Sequence, residues 1–283
     1  MTVAPGASVV VAYALLGATW LVLGGAALFG AFPLAYSVVL SALYLPIIFM
    51  LMGLIFRGVA FEFRFKADEH HRPLWDRAFV AGSVCATFFQ GVTLGAYIEG
   101  IPVTDRVYSG GPWDWISPFS LFTGAGLVAA YALLGCTWLI MKTEGRLYRH
   151  MCAIARPLTL ALLAVIAALS AWTPLAQPQI AQRWFSLPGM FWFLPVPVLV
   201  AAAGFELLRR VRGAPGAGPF VLSLALVFLG YSGLGISIWP AIIPPDVSIW
   251  TASAPPQSQG FALVGALAII PVILMYTAWS YYV

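Results

Sequence analysis

The chain has 283 residues, of which 61% are hydrophobic and only 8% charged. Soluble domains carry about 25% charged residues, and a third of that cannot cover a water-facing surface, so a water-soluble fold is excluded. The formal net charge of +4 is no nucleic-acid signal, because the basic residues are confined to a few gaps and interrupted by Asp and Glu.

A lipid-facing surface needs no charged cover. Apolar runs of about 20 residues without polar alternation fit helices and exclude a membrane barrel. The expected fold class is therefore all-α. It is a polytopic transmembrane helix bundle forming one integral membrane domain over 1–283, arranged as two pseudo-symmetric bundles. About eight spans are expected, roughly at 8–32, 43–63, 76–98, 118–141, 155–173, 190–208, 219–239 and 260–282. No gap between them is long enough for a separate soluble domain, which needs about 50 residues.

The first run passes from Val9-Val10-Val11 toward Gly24-Gly25-Ala26-Ala27 and has the small-residue ending of a signal peptide. No Lys or Arg precedes Arg57, so the basic flank of such a peptide is missing, and the run reads as a retained first span. The second span ends in Phe56-Arg-Gly-Val-Ala-Phe-Glu-Phe-Arg-Phe-Lys66, where charges alternate with rings. Two readings fit: a membrane anchor with basic heads at the headgroup layer, or a pair of Arg57 with Glu62 at a subunit contact or a quinone head.

The next loop carries His70 and His71 beside Asp68 and Glu69. Adjacent residues on an exposed loop point apart, so no metal site is expected. In the third span Gln90 is the most polar group at depth. It is expected to hydrogen-bond across helices, while Gly91 and Gly95 form a close helix contact.

The fourth span holds Tyr131-Ala-Leu-Leu-Gly-Cys-Thr-Trp-Leu139, which repeats Tyr13-Ala-Leu-Leu-Gly-Ala-Thr-Trp-Leu21 of the first. Eight identities in nine positions fit either a pseudo-symmetric pair of bundles or a local duplication better than chance. The span closes with Trp138-Leu-Ile-Met-Lys-Thr-Glu-Gly145. There Lys142 can snorkel, Glu144 can pair with Lys142 or Arg146, and Gly145 suits a helix C-cap. Between the seventh and eighth spans, Trp239-Pro-Ala-Ile-Ile-Pro-Pro-Asp-Val-Ser-Ile-Trp250 and Ala254-Pro-Pro-Gln-Ser-Gln-Gly260 read as a stiff outer connector or a lid against a partner subunit. Gly260 is expected to break the chain before the last span.

Twelve of the fourteen basic residues lie in three alternate gaps. These are Arg57, Arg64, Lys66, Arg72 and Arg77; then Lys142, Arg146, Arg149 and Arg156; then Arg209, Arg210 and Arg212. Only Arg106 and Arg183 fall on the other side. Basic residues favour the cytoplasmic side, so both termini are expected there. Trp75, Trp113, Trp115, Trp172, Trp184, Trp192, Trp239, Trp250 and Trp279 mark the interfaces.

No span middle contains Asp, Glu, Lys, Arg or His, which argues against a proton pump or antiporter. The three histidines are His70, His71 and His150, all in loops. Met50, Met52 and Met275 have no His partner, so no haem or metal ligand is expected in this chain. Cys85, Cys136 and Cys152 have no metal-binding spacing and read as packing residues. No nucleotide loop or nucleophile elbow occurs, and no catalytic residue is expected.

Taken in order, these clusters resemble subunit II of the cytochrome bd family of quinol oxidases. The resembling elements are the 57–66 ending, Leu74-Trp-Asp-Arg-Ala-Phe79 with Gly82-Ser83, Phe89-Gln-Gly-Val-Thr-Leu-Gly95 and the 138–145 ending. Two more follow: Gly235-Ile-Ser-Ile-Trp-Pro240, and Pro255-Pro-Gln-Ser-Gln-Gly260 with Tyr276-Thr-Ala-Trp-Ser-Tyr281. The resemblance covers 19–283. It implies the non-haem subunit of a bacterial inner-membrane complex that oxidises quinol, reduces oxygen to water and builds a proton gradient without pumping. Its implied partners are a haem-bearing subunit I with haems b and d, a small accessory subunit, lipid and a structural quinone, with no nucleic acid. Candidate quinone or subunit contacts are Arg57, Glu62, Gln90, Trp138, Lys142 and Glu144.

The N-terminus departs from the family. Where relatives carry acidic motifs like Asp-Gly-Phe-Asp and Trp-Asp-x-Asn-Glu, this chain has Val11-Ala-Tyr-Ala-Leu-Leu-Gly-Ala18, and no acid precedes Glu62. Residues 1–18 are thus atypical and the N-terminus reads as shortened; no proton-path carboxylate carries over. Two rival readings stay open: a small-solute transporter, which the repeat and proline-broken loop would suit, and a non-functional remnant of subunit II.

Overall fold

The structure is a computed structural model that describes residues 22–186, 189–211 and 216–282. The first copy of the repeat (residues 13–21), the start of the first expected span and Arg212 lie outside the described residues.

The described chain is helical apart from two small hairpins. Helix α1 (Val22–Ala31) leads through Phe32 into α2 (Pro33–Lys66). Then come α3 (Arg72–Glu99), a hairpin of β1 (Val103–Thr104) and β2 (Val107–Tyr108), α4 (Pro118–Lys142) and α5 (Gly145–Ala176). Short α6 (Pro178–Phe185) and α7 (Gly189–Phe193) precede α8 (Pro195–Arg210) and α9 (Gly218–Ile238). A second hairpin, β3 (Ala241–Ile243) and β4 (Val247–Ser248), the turn α10 (Ile249–Ala252) and α11 (Pro256–Tyr282) complete the chain. Both hairpins are antiparallel, with Val103 opposite Tyr108 and Ala241 opposite Ser248. Six of the described helices are long and apolar enough to cross a membrane: α2, α3, α4, α5, α9 and α11.

Several boundaries differ from the hydropathy pattern. The connector expected at 33–42 is helical: α2 begins at Pro33 and bends at Leu43, whose φ of −113° and ψ of 19° are non-helical. Pro46 lies three residues on; it has no N–H for the carbonyl of Ala42 and its ring crowds that carbonyl. Helix α5 begins ten residues earlier than expected. Gly145, with φ of 70°, is no C-cap. The C-cap of α4 is Thr143, whose N–H bonds the Leu139 carbonyl at 2.9 Å, and Gly145 supplies the left-handed turn that starts α5 at once.

The sixth expected span is divided at Leu194. Pro195 and Pro197 offer no N–H to the preceding turn, and α8 alone, with 16 residues, reaches about 24 Å, short of the roughly 30 Å hydrocarbon core. Gly260 does not break the chain: α11 starts at Pro256 and runs through it. Proline suits a helix's first turn, where its missing N–H costs nothing.

Packing follows chain order, α2 on α3, α3 on α4, α4 on α5, with α9 closing onto α4 and α8 onto α9. Two cores result. One gathers Val38, Leu43, Val92, Trp115 and Ile243 around α2, α3 and the outer hairpins. The other gathers Leu133, Ile140, Ala155, Leu207 and Leu226 around α4, α5, α8 and α9. Helix α11 stands apart, with none of its most apolar stretch buried among the described residues.

Candidate functional site

The helices approach closely because glycines face one another. A Cβ at Gly91 would lie 2.7 Å from the Cα of Gly124, and one at Gly95 would lie 2.6 Å from the Cα of Ser120. Likewise a Cβ at Gly53 would lie 2.7 Å from the backbone N of Ala86. These are backbone-to-backbone seams of the kind lipid-embedded helices use in place of a hydrophobic driving force. The expected contact face at Gly91 and Gly95 is present. Beside it, the Tyr131 hydroxyl donates to Gln90 Oε1 at 3.3 Å, the expected bond across helices.

The other expected positions separate into two groups at the basic helix ends. Arg57 is half-buried where α2 meets Gly82 of α3. The pair with Glu62, one of its two sequence readings, does not form; Glu62 instead takes Lys66, one helical turn on, at 3.3 Å, and both are exposed. The helix periodicity explains this, since i and i+4 share a face and i and i+5 do not. Arg64 pairs with Asp76 of α3, and Phe63 stacks on Trp75 with ring centres 5.1 Å apart, so the two helix ends are tied together.

About the α4–α5 turn, Lys142 Nζ sits 5.3 Å from the Trp138 ring centre, and that ring meets Phe220 of α9 edge-on. Glu144 is the N-cap residue of α5, without a side-chain capping bond. Among the described residues it pairs with neither Lys142 nor Arg146.

The outer ends of the helices carry a stitched cap. Ile101 N–H donates to the Pro244 carbonyl at 2.9 Å, and the Tyr97 hydroxyl donates to the Ile242 carbonyl. Gln177 donates to the Glu99 carbonyl, Ser117 donates to the Glu99 carboxylate, and Ala254 N–H reaches the Ala31 carbonyl at 2.9 Å. The proline-rich loop thus folds onto its own chain, with Ile243 fully buried. On the β1–β2 hairpin, the Tyr108 phenol is pushed up to about 12 by burial, then by its hydrogen bond to Asp114 and that carboxylate's charge.

A concavity lies deeper. A cavity of about 600 Å³ runs between α4, α5, α8 and α9, reaching Ile98 of α3 and Trp184 of α6. Its lining is almost wholly apolar. Thr123, Thr173 and Ser237 donate to carbonyls one turn back on their own helices, at 2.8, 2.7 and 2.6 Å. Ser237 also accepts from Trp184 Nε1 at 3.0 Å. The hydroxyls of Ser170 and Tyr231 also line it and form no hydrogen bond among the described residues; Tyr231 lies within electrostatic reach of Tyr131. None of Arg57, Glu62, Gln90, Trp138, Lys142 or Glu144 lines this cavity. Charge and motif point away from it. The signal for it in sequence is small residues on facing helices: Gly126, Ala130, Ala167, Ala201, Gly230 and Gly233.

His70, His71 and His150 are exposed at helix ends. No group of three or more His, Cys, Asp or Glu suited to a metal occurs among the described residues.

Apolar spans, glycine seams and an apolar interhelical cavity define a polytopic α-helical membrane protein. The family model "Cytochrome bd terminal oxidase subunit II" matches residues 14–283. The chain is 28% identical to cytochrome bd-I ubiquinol oxidase subunit 2 of Escherichia coli K12, over 93% of this chain and 79% of that protein. It is 26% identical to cytochrome bd ubiquinol oxidase subunit 2 of Bacillus subtilis 168, over 93% and 79%. The bd oxidase structure from Geobacillus thermodenitrificans shares the fold, with a TM-score of 0.62 at 10% identity over 93% of this chain and 82% of that one. The chain belongs to the subunit II family of cytochrome bd terminal oxidases. It is a subunit of a quinol oxidase, an oxidoreductase complex of the membrane, and the transporter reading is not favoured.

Proposed function

We propose that the chain is the non-haem subunit that completes and stabilises a bd-type quinol oxidase of the bacterial inner membrane. The partner subunit holds haems b and d, oxidises quinol and reduces oxygen to water; this chain is not catalytic alone. The observation that carries the reading is the family match over 14–283. The whole chain acts as one membrane domain. Both termini lie in the cytoplasm, a reading supported by twelve basic residues against two on alternate sides.

The cavity between α4, α5, α8 and α9 is the place this chain offers to a quinone. Its volume and apolar lining suit an isoprenoid tail, and the hydroxyls of Ser170 and Tyr231 would hold a ring carbonyl. The charged positions Arg57, Glu62, Lys142 and Glu144, with Gln90 and Trp138, serve helix ends and seams instead. The test is a reduced-minus-oxidised visible spectrum of the tagged chain purified gently from its native membrane. Haem b and d bands are expected; a blank spectrum from folded protein would overturn the assignment.

A further inference from the structure

The charge at the three basic helix ends is not distributed alike. Between α2 and α3, Arg64, Lys66 and Arg72 each have an acidic partner while Arg57 and Arg77 form no ion pair among the described residues, and at the end of α8 both Arg209 and Arg210 take Glu206. At the α4–α5 turn, Lys142, Arg146, Arg149 and Arg156 form no ion pair among the described residues, and Glu144 is the sole acid in that stretch.

Positions 146, 149, 153, 156, 160 and 164 fall on one helical stripe. Every one of them is exposed, opposite the buried face of Ala155, Thr159 and Leu162. Arg146 to Arg156 covers about 15 Å of helix axis, and the same stripe passes without interruption into Leu160, 50% exposed, and Ala164.

We propose that this outer face of α5 binds an anionic phospholipid. Its phosphate sits among Arg146, Arg149 and Arg156, and an acyl chain runs over Leu160 and Ala164. An acidic protein segment would need the cationic half alone, whereas a lipid uses both halves in this order. The site rests on the oxidase reading only for the assembly in which it is tested.

The experiment uses the purified oxidase complex, washed in detergent with equimolar phosphatidylglycerol and phosphatidylcholine, followed by quantification of retained lipid. A cation near an anionic leaflet favours binding by roughly fivefold. Wild type should therefore retain phosphatidylglycerol over phosphatidylcholine by about fivefold or more. R146Q/R149Q/R156Q should bring the ratio toward one, while R209Q/R210Q should leave it unchanged. Equal retention of both lipids by wild type, or an equal fall in both variants, would overturn the site. So would loss of the partner subunit from the triple variant with its lipid ratio intact, which would indicate an acidic protein contact. Should the triple variant not assemble, the wild-type preference must fall at about 0.5 M salt, where the screening length is only a few ångströms; persistence would overturn the site. The haem spectrum of the same sample reports separately on the oxidase assignment.

Discussion

Replacing Gly95 with Ala tests whether the α3–α4 seam holds the subunit together. The new methyl would lie 2.6 Å from the Cα of Ser120 and 3.0 Å from both Cβ and Oγ1 of Thr123. The first obstacle is backbone, which no rotamer change relieves, so the helices must part along a seam that also includes Gly91 and Gly124. Overpacking of this kind costs about 1–3 kcal/mol, and a backbone obstacle puts Gly95→Ala in the upper part, about 2–3 kcal/mol. At roughly 2–4 °C per kcal/mol for a chain of this size, the expected fall in Tm is roughly 4–12 °C. Gly135→Ala is the control: it is on the same helix α4 as Ser120, and its Cβ would meet nothing within 4 Å. Alanine's better helix propensity predicts no loss there, and a gain of up to about 1 kcal/mol. Thermal melting of the detergent-solubilised complex, followed by light scattering or haem absorbance, reads both. Equal melting points for Gly95→Ala and wild type would refute the seam.

Four further outcomes are expected. Gln90→Leu combined with Tyr131→Phe in a double-mutant cycle should give a coupling of about 0.6 kcal/mol, the average for hydrogen bonds between membrane helices; a coupling near zero would mean the 3.3 Å bond carries no energy. Ala201→Phe, which fills part of the 600 Å³ cavity, should lower the quinone extracted per haem several-fold while leaving the haem spectrum unchanged; unaltered quinone content would place the quinone elsewhere. Asp114→Asn should bring the Tyr108 phenol down from about 12, seen as phenolate absorbance appearing at lower pH. Because the folded pKa is raised above 10, Tyr108's contribution to stability is fully present below pH 10 and is lost as pH rises through about 12. A fluorescent protein fused after Val283 should fold and fluoresce, as a cytoplasmic terminus requires; a dark fusion with an active periplasmic reporter at the same position would reverse the orientation.

The class of fold was open to reading because lipid imposes a coarse rule: about 20 apolar residues per crossing, with charge excluded from the middle. That rule is indifferent to where a helix stops in water. Helix α5 shows the difference. Its first ten residues include Arg146, Arg149 and His150 and fail any hydropathy threshold, yet they are helical because arginine, leucine and methionine are good helix formers. Nothing breaks the run before Pro157, which is carried inside the helix. Proline misleads in both directions. Pro46, Pro157 and Pro271 sit inside helices, whereas Pro195 follows the break at Leu194 and opens the next, although Pro46, Pro271 and Pro195 all stand in apolar sequence. Neighbouring helices and local adjustment re-satisfy the freed carbonyls in a membrane, so breaking is decided by packing that no local window contains.

The site divides along the same line. Gln90 with Gly91 and Gly95 was legible because each is exceptional where it stands: an amide at depth, and glycines spaced by one turn, both of which lipid would select against without a partner helix. The cavity was not. It is made by what α4, α5, α8 and α9 leave unfilled, through small residues that are ordinary in any apolar helix, and a void exists only once four helices are placed. Charge drew attention instead to Arg57, Glu62, Lys142 and Glu144. In a chain with so few charges this is a natural bias, but it selects helix ends, since that is where a membrane permits charge to lie. On the proposed quinone role, Tyr231 and Ser170, polar groups of the lining without a hydrogen bond among the described residues, weigh more than any of the charged positions. Tyr231→Phe should accordingly lower quinone retention more than Arg57→Gln, measured per haem on the same preparation. The reverse order would return the binding role to the basic helix ends.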